Sequence, residues 1–295
     1  MATVIDVLGY DGPRVCDPEQ PLLFADDLAA VRGDGVFETL ILRKGAVRNI
    51  ERHKSRFLTS AKMLELPSPD LERWTQATEL AVEEFHRSPP LTTEAAVRWV
   101  YSRGRESVGE PTGWITVLPV GAAQLDARKN GVSVMTAERG FRLDLSERSP
   151  WALIGAKTLS YAANMAALRY ARAAGFQDVI FFSDEGNVLE GPTSSVIIAK
   201  KGEGGQRTLV TPSPGVGVLP GTSQAAVFRL ASERGWDVQE AELHLEDLMS
   251  ADGIWLVSSV RIQARVTAID GTKLERPDIA DELEALITEA VTASA

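Results

Sequence analysis

Gly155-Ala156-Lys157-Thr158-Leu159-Ser160-Tyr161 places one lysine where a turn enters a long, charge-poor helical pattern that runs from Tyr161 to Ala174. Such a lysine is either a solvated residue at a helix start, as most lysines are, or the amine of an enzyme that forms Schiff bases. The residues around it leave both readings open.

Bulk properties narrow the choice. The chain has 295 residues, which suits one large domain or two of ordinary size. Hydrophobic residues make up 44% and charged residues 24%, as in a globular protein with a sizeable core. A net charge of −10 and the lack of any basic run argue against nucleic acid as a partner, because phosphate contacts need a basic face. Cys16 is the single cysteine, which excludes an internal disulfide framework and a cysteine-built zinc site. His53, His86 and His244 lack metal-ligand spacing, so no metal is expected. Met1 to Gly12 has neither a basic start nor a long apolar run, and no stretch is apolar enough to span a bilayer. The expectation is a cytoplasmic protein with no membrane partner.

The first half mixes strands and helices. Val4 to Leu8 and Pro21 to Ala25 read as short strands. Arg32-Gly33-Asp34-Gly35 is a bend into Val36 to Leu42, whose β-branched, aromatic and aliphatic residues favour a strand. Alternation puts Phe37, Thr39 and Ile41 on one face of it. Lys44-Gly45 turns into a return strand, Ala46 to Ile50. Helical spacing follows over Asn49 to Leu64 and Asp70 to His86, the second with a stop at Pro89-Pro90. Ala95 to Ser102 and Gly113 to Val120 are strands. Without a repeating βαβ order, the pattern predicts α+β. Gly121 to Gly131 is polar and periodless and predicts a linker, giving domains 1–122 and 132–295 joined by 123–131. The second half predicts strands near 132–137, 178–183, 194–199, 208–211, 238–242, 253–258 and 261–269. Helices are predicted over 158–174, 223–234, 244–250 and 278–292.

Several residues carry chemical options. Glu190 ends an apolar strand before Gly191-Pro192, an odd place for a carboxylate that serves only solubility. Leu219-Pro220-Gly221-Thr222-Ser223 runs into a helix, where backbone N–H groups and two hydroxyls suit a phosphate or simply cap the helix. Ser258-Ser259 repeats that option at a strand end. Arg56, in His53-Lys54-Ser55-Arg56, is a bidentate phosphate ligand by type or a surface arginine. No Walker loop or dinucleotide fingerprint is present.

Taken in order, Gly-Asp-Gly-Val-Phe-Glu-Thr (33–39), His-x-x-Arg (53–56), Ser-Arg-Gly (102–104), Gly-Ala-Lys (155–157), Val-Leu-Glu-Gly-Pro-Thr-Ser-Ser-Val (188–196) and Leu-Pro-Gly-Thr-Ser (219–223) resemble the class IV aminotransferases. These are the fold-type IV pyridoxal-phosphate enzymes, and the resemblance runs from about Asp26 to Gly271. It implies a two-domain α+β or α/β fold, with the smaller domain N-terminal, the lysine in the larger C-terminal domain and pyridoxal 5'-phosphate at the domain boundary. It also implies that Lys157 holds the cofactor and carries protons, while Glu190 pairs with the pyridine nitrogen. Arg56, Thr222, Ser223 and Ser259 would bind the phosphate. Tyr161 would contact the phenolic oxygen, although its offset from the lysine differs by one from that in branched-chain transaminases. Phe37, Thr39 and Arg105 would line the substrate pocket. A small amino substrate and a homodimer follow from the same resemblance.

Within the family, D-amino-acid transaminases hold the substrate carboxylate with a tyrosine and an arginine at the positions of Phe37 and Val108. Losing both removes charge-assisted bonds worth about 1.5–3 kcal/mol each, which argues against that activity. Branched-chain enzymes resemble Lys-x-Gly-Gly-Asn-Tyr after the lysine. Here Lys157-Thr158-Leu159-Ser160 is closer to the Lys-x-Leu-Asn of 4-amino-4-deoxychorismate lyases. The lyase is therefore favoured, with amino transfer from branched-chain L-amino acids or from D-amino acids as the alternative. A non-catalytic binding protein on the same fold is the third reading.

Overall fold

The computed structural model describes residues 2–87, 94–215 and 217–293. The Pro89-Pro90 stop lies outside them. The chain forms two compact units, one holding the residues up to Gly121 together with Ala156–Tyr161, the other holding Ala122–Gly155 and Ala162–Val291.

The first unit is built on an antiparallel sheet. Its strands are β1 (Thr3–Asp6), β2 (Arg14–Cys16), β3 (Gly35–Arg43), β4 (Ala46–Val47), β5 (Glu94–Ser102) and β6 (Thr112–Pro119), in the order β2-β1-β6-β5-β3-β4. Its helices are α1 (Leu28–Arg32), α2 (Ile50–Met63) and α3 (Leu71–Arg87). β3 pairs with β5 along its whole length, from Gly35 opposite Ser102 to Arg43 opposite Glu94. Helices α2 and α3 bury an aromatic cluster against the sheet, in which Phe57 meets Trp74, Trp99 and Tyr101.

Family motifs have visible structural work here. Asp27 is buried and accepts from the Ala29 N–H and from the hydroxyls of Ser102 and Thr112, so it caps α1 and ties it to two strands. Arg103 bonds Asp34 and the carbonyl of Leu64, which links the Gly-Asp-Gly bend to the end of α2.

The lysine segment is extended, and this corrects the expected helix over 158–174. The Phe37 N–H donates to the Lys157 carbonyl at 3.0 Å and the Leu159 N–H to the Gly35 carbonyl at 2.8 Å. The segment thus pairs with β3, which is why Lys157 belongs to the first unit and not, as expected, to the C-terminal one. Gly35 permits that approach, because a Cβ there would lie 2.8 Å from Leu159 Cδ1 and 2.6 Å from the Tyr101 carbonyl oxygen. The helix itself starts only at Ala162.

The second unit contains α4 (Ala122–Asn130), β7 (Val132–Glu138), α5 (Leu145–Arg148), α6 (Ala162–Ala173), β8 (Asp178–Phe182), β9 (Ser195–Lys201) and β10 (Arg207–Pro212). It continues with α7 (Thr222–Glu233), β11 (Asp237–Ala241), α8 (Leu245–Ser250), β12 (Gly253–Ser258), β13 (Ile262–Ile269), β14 (Thr272–Lys273) and α9 (Ala280–Thr292). The sheet order is β11-β10-β9-β12-β13-β7-β8, with β14 beside β13. The β10–β11, β13–β7 and β7–β8 pairs are parallel. One face buries Val134, Ile180, Val196, Ile198, Leu256 and Val266 in a continuous core.

Two further expectations are corrected. Gly121 to Gly131 is no linker, because α4 packs against β13 and Arg128 bonds the carbonyls of Val260 and Arg261. Its Ala-rich sequence suits a helix, and the weak periodicity reflects how little of it is buried. Pro21 to Ala25 is not a strand. It is a turn region whose Phe24 is exposed beneath the Arg105 guanidinium, 4.0 Å from the ring centroid. Among the described residues, no helix is long and apolar enough to cross a membrane.

Candidate active site

In the first unit, β3 places alternate residues on opposite faces. Val36, Glu38 and Leu40 are all fully buried, while Phe37 and Thr39 are half-buried. Glu38 is therefore a carboxylate on an apolar strand face. α2 supplies its partners from one helical face, with His53 and Arg56 one turn apart and Ser60 a further turn along. Arg56 grips Glu38 with a fork, Nε to Oε1 and Nη2 to Oε2, both at 2.7 Å. His53 Nδ1 lies 2.6 Å from Oε2.

Lys157 stands beside this cluster. Its amine is 4.3 Å from the Phe37 ring centroid and 5.7 Å from that of Tyr161. The two rings meet edge to face at 5.3 Å. The Lys157 backbone N–H donates to Ser60 Oγ at 3.0 Å, so α2 and β3 both fix the segment.

Charge states follow from the neighbours. Burial alone would push the Glu38 carboxyl up, but the Arg56 guanidinium and His53 outweigh it and hold the group well below the usual carboxylate range. Burial pushes the His53 imidazole down, Glu38 opposes this incompletely, and the positive charges of Arg56 and Lys157 add to the lowering. His53 is thus neutral. An ionised carboxylate can only accept, so the bond to Glu38 assigns the imidazole proton to Nδ1.

Both shifts bear on stability. Groups whose folded-state pKa is depressed contribute fully above their ordinary value, and that contribution is lost as the pH falls. For His53 the loss begins below about pH 6.5. Thermal unfolding followed from about pH 8 to about pH 5 is expected to show Tm falling below that point, and falling less steeply in His53→Gln. Equal slopes in the two proteins would contradict the neutral assignment.

In the second unit, Glu190 follows the hairpin that returns from β8, with its carbonyl accepting from the Phe181 N–H at 2.9 Å. Its half-buried carboxylate accepts from the Leu219 N–H at 3.2 Å. The Gly191-Pro192 bend is held by Asn164 of α6, whose Nδ2 donates to the Pro192 carbonyl at 2.8 Å. At the start of α7, Thr222 and Ser223 are both buried, and Ser223 Oγ lies 3.4 Å from Ser259 Oγ. The expected anion donors Thr222, Ser223 and Ser259 therefore form one group at the positive end of a 12-residue helix.

Arg105 behaves differently. Its Nε bonds Asp26 at 2.9 Å and its guanidinium stacks on Phe24. Hydrogen bonds from Ser107 and Arg105 hold the Asp26 carboxyl down at about 2. Arg105 is thus engaged in fixing its own loop, whereas Phe37 lies directly against the lysine amine and Thr39 lies two residues along the same strand face.

Glu38, His53 and Ser60 were not assigned roles from sequence. The available signals were a carboxylate between Val36 and Leu40 in a strand pattern, and polar residues at i, i+3 and i+7 around Phe57 in a helical one.

The arrangement has counterparts among known proteins. The chain is 46% identical over 287 residues to a Mycobacterium tuberculosis protein named bifunctional aminodeoxychorismate lyase / D-amino acid transaminase, covering 97% of this chain and 98% of that one. A solved structure of a Mycobacterium tuberculosis protein, described as a hypothetical aminotransferase in PLP-bound form, superposes with a TM-score of 0.93 at 45% identity, covering 99% of each chain. A fold IV transaminase from Curtobacterium pusillum superposes with a TM-score of 0.91 at 37% identity over 100% of both chains. These likenesses bear out the expected fold. The model of amino-transferase class IV matches residues 35–269, and the chain belongs to that family.

Proposed function

We propose that the chain is a pyridoxal-phosphate-dependent lyase that converts 4-amino-4-deoxychorismate to p-aminobenzoate and pyruvate. The observation that carries the substrate is the 46% identity, over nearly the whole of both chains, to a relative whose name includes that lyase. The same name includes D-amino acid transamination. That activity is kept as the second reading, although Phe37 and Val108 replace the tyrosine and arginine that would hold a D-amino acid's carboxylate.

The residues fit the cofactor. Lys157 offers an amine against two aromatic rings, and Glu190 offers a carboxylate for a protonated ring nitrogen. Thr222, Ser223 and Ser259 offer hydroxyls at a helix start, and Arg56 offers a guanidinium whose plane is fixed by Glu38. When bound, pyridoxal phosphate supplies an aldehyde for the amine and a ring that withdraws electrons from the carbon losing a proton.

The chain's own groups then do the rest. The Lys157 amine removes the proton from the substrate ring carbon that bears nitrogen. The C–O bond on the adjacent ring carbon breaks, and Lys157 returns the proton to the methylene carbon of the departing enol-pyruvyl group, giving pyruvate. Aromatisation of the ring drives the step. Phe37 and Tyr161 shield the amine from bulk water, and Glu190 stabilises positive charge on the cofactor nitrogen. The reading carries with it a homodimer and a cytoplasmic setting, and sedimentation of the purified protein tests the first.

Incubation with 4-amino-4-deoxychorismate is expected to yield p-aminobenzoate and pyruvate in equal amounts. No product, alongside brisk amino transfer from D-alanine to 2-oxoglutarate, would leave the transaminase as the function.

A further inference from the structure

We propose that Glu38 is a positioning residue, whose buried carboxylate fixes the plane of Arg56, the arginine read above as a phosphate ligand, and fixes His53 in its Nδ1–H tautomer. The proposal rests on the cofactor reading above.

A fully buried carboxylate is costly unless its oxygens are matched by donors. Packing alone would be served as well by an apolar residue between Val36 and Leu40, since buried ion pairs can often be replaced without loss. Glu38 instead spends both oxygens on three close contacts, to Arg56 Nε, Arg56 Nη2 and His53 Nδ1. A two-point fork fixes the plane of a guanidinium as a single bond does not. With Nε and Nη2 held, the plane of the guanidinium is set by the sheet and not by a flexible side chain.

The same elements also hold the lysine. α2 carries Arg56 and, one turn on, Ser60, which accepts from the Lys157 N–H. β3 carries Glu38 and, one residue earlier, Phe37, whose N–H reaches the Lys157 carbonyl and whose ring lies against the Lys157 amine. Glu38 closes this frame by joining β3 to α2. It therefore relates the position of Arg56 to that of Lys157.

The test compares wild type with Glu38→Gln, each stripped of cofactor and titrated with pyridoxal phosphate or with pyridoxal, while ¹⁵N NMR reads the His53 ring nitrogens. Affinity of Glu38→Gln for pyridoxal phosphate is expected to fall roughly 10–100-fold, by analogy with the loss of a hydrogen-bonded partner behind a metal ligand. Affinity for pyridoxal, which has no phosphate, should change by less than about twofold, and the His53 proton should leave Nδ1 for Nε2. Unchanged affinity for pyridoxal phosphate, equal losses for both compounds, or an unchanged His53 signature overturns the proposal. Should Glu38→Gln fail to fold, Glu38→Asp keeps the charge but shortens the reach. It is expected to lose affinity for pyridoxal phosphate alone, and wild-type affinity there overturns the proposal. A wild type that takes up no pyridoxal phosphate overturns the cofactor reading and the proposal with it. Uptake by wild type with no effect of Glu38→Gln overturns the proposal alone.

Discussion

Replacing Lys157 by alanine is expected to lower turnover by about 10²- to 10⁴-fold and to leave no pyridoxal phosphate that borohydride can fix covalently to the protein. The size follows from the two proton transfers that one amine performs. Water can take over neither efficiently where the Phe37 and Tyr161 rings lie against the amine. The fold should be unaffected, because the bonds that fix the segment come from the backbone: the Lys157 carbonyl to Phe37, its N–H to Ser60 and the Leu159 N–H to Gly35. Thermal unfolding of the cofactor-free variant should therefore match that of cofactor-free wild type. Activity within about tenfold of wild type would mean that another group moves the proton.

Phe57→Ala is expected to cost about 3–5 kcal/mol of stability. The ring is fully buried, with centroids 4.9 Å from Trp74, 5.5 Å from Trp99 and 6.1 Å from Tyr101. Removing it empties the centre of the contact between α2, α3 and β5, where large neighbours cannot collapse into the space. Edge-to-face pairing adds about 0.5–1.5 kcal/mol per contact to the burial term. Phe57 adjoins Arg56 on α2, so cofactor affinity should fall along with stability. Urea unfolding of the cofactor-free protein measures the first, and a loss below about 1 kcal/mol would contradict the packing described.

Much of this was legible in the sequence, for reasons specific to particular stretches. β12 was read at its full extent, Gly253 to Ser258, because a run of apolar residues between a glycine and serines has few other solutions. α7 and α9 were read to within two residues, since each has a clear apolar stripe and a definite end. The lysine segment was misread because Ala162 onward is a good helix former and nothing local says where the helix begins. The deciding interaction is the pairing with β3, made across more than a hundred residues of sequence, and only Gly35 hinted at it. α4 was missed because a mostly exposed helix carries little periodicity.

The candidate site divides in the same way. Lys157, Glu190, Arg56 and the Thr222-Ser223 pair were found through motifs that resemble a known family. Glu38 stood inside one of those motifs, yet its role depends on His53 and Arg56 being brought to it by α2. A strand pattern marks Glu38 as misplaced on an apolar face. It cannot say which helix will answer the charge.

Covalent trapping tests the central assignment most directly. Borohydride reduction of the protein loaded with pyridoxal phosphate, followed by tryptic digestion and mass spectrometry, should place a phosphopyridoxyl group on Lys157, in a peptide running uncut from Ser149 to Arg169. A label on any other lysine, or no label at all on protein that has taken up the cofactor, would contradict the assignment of Lys157 as the amine of the site.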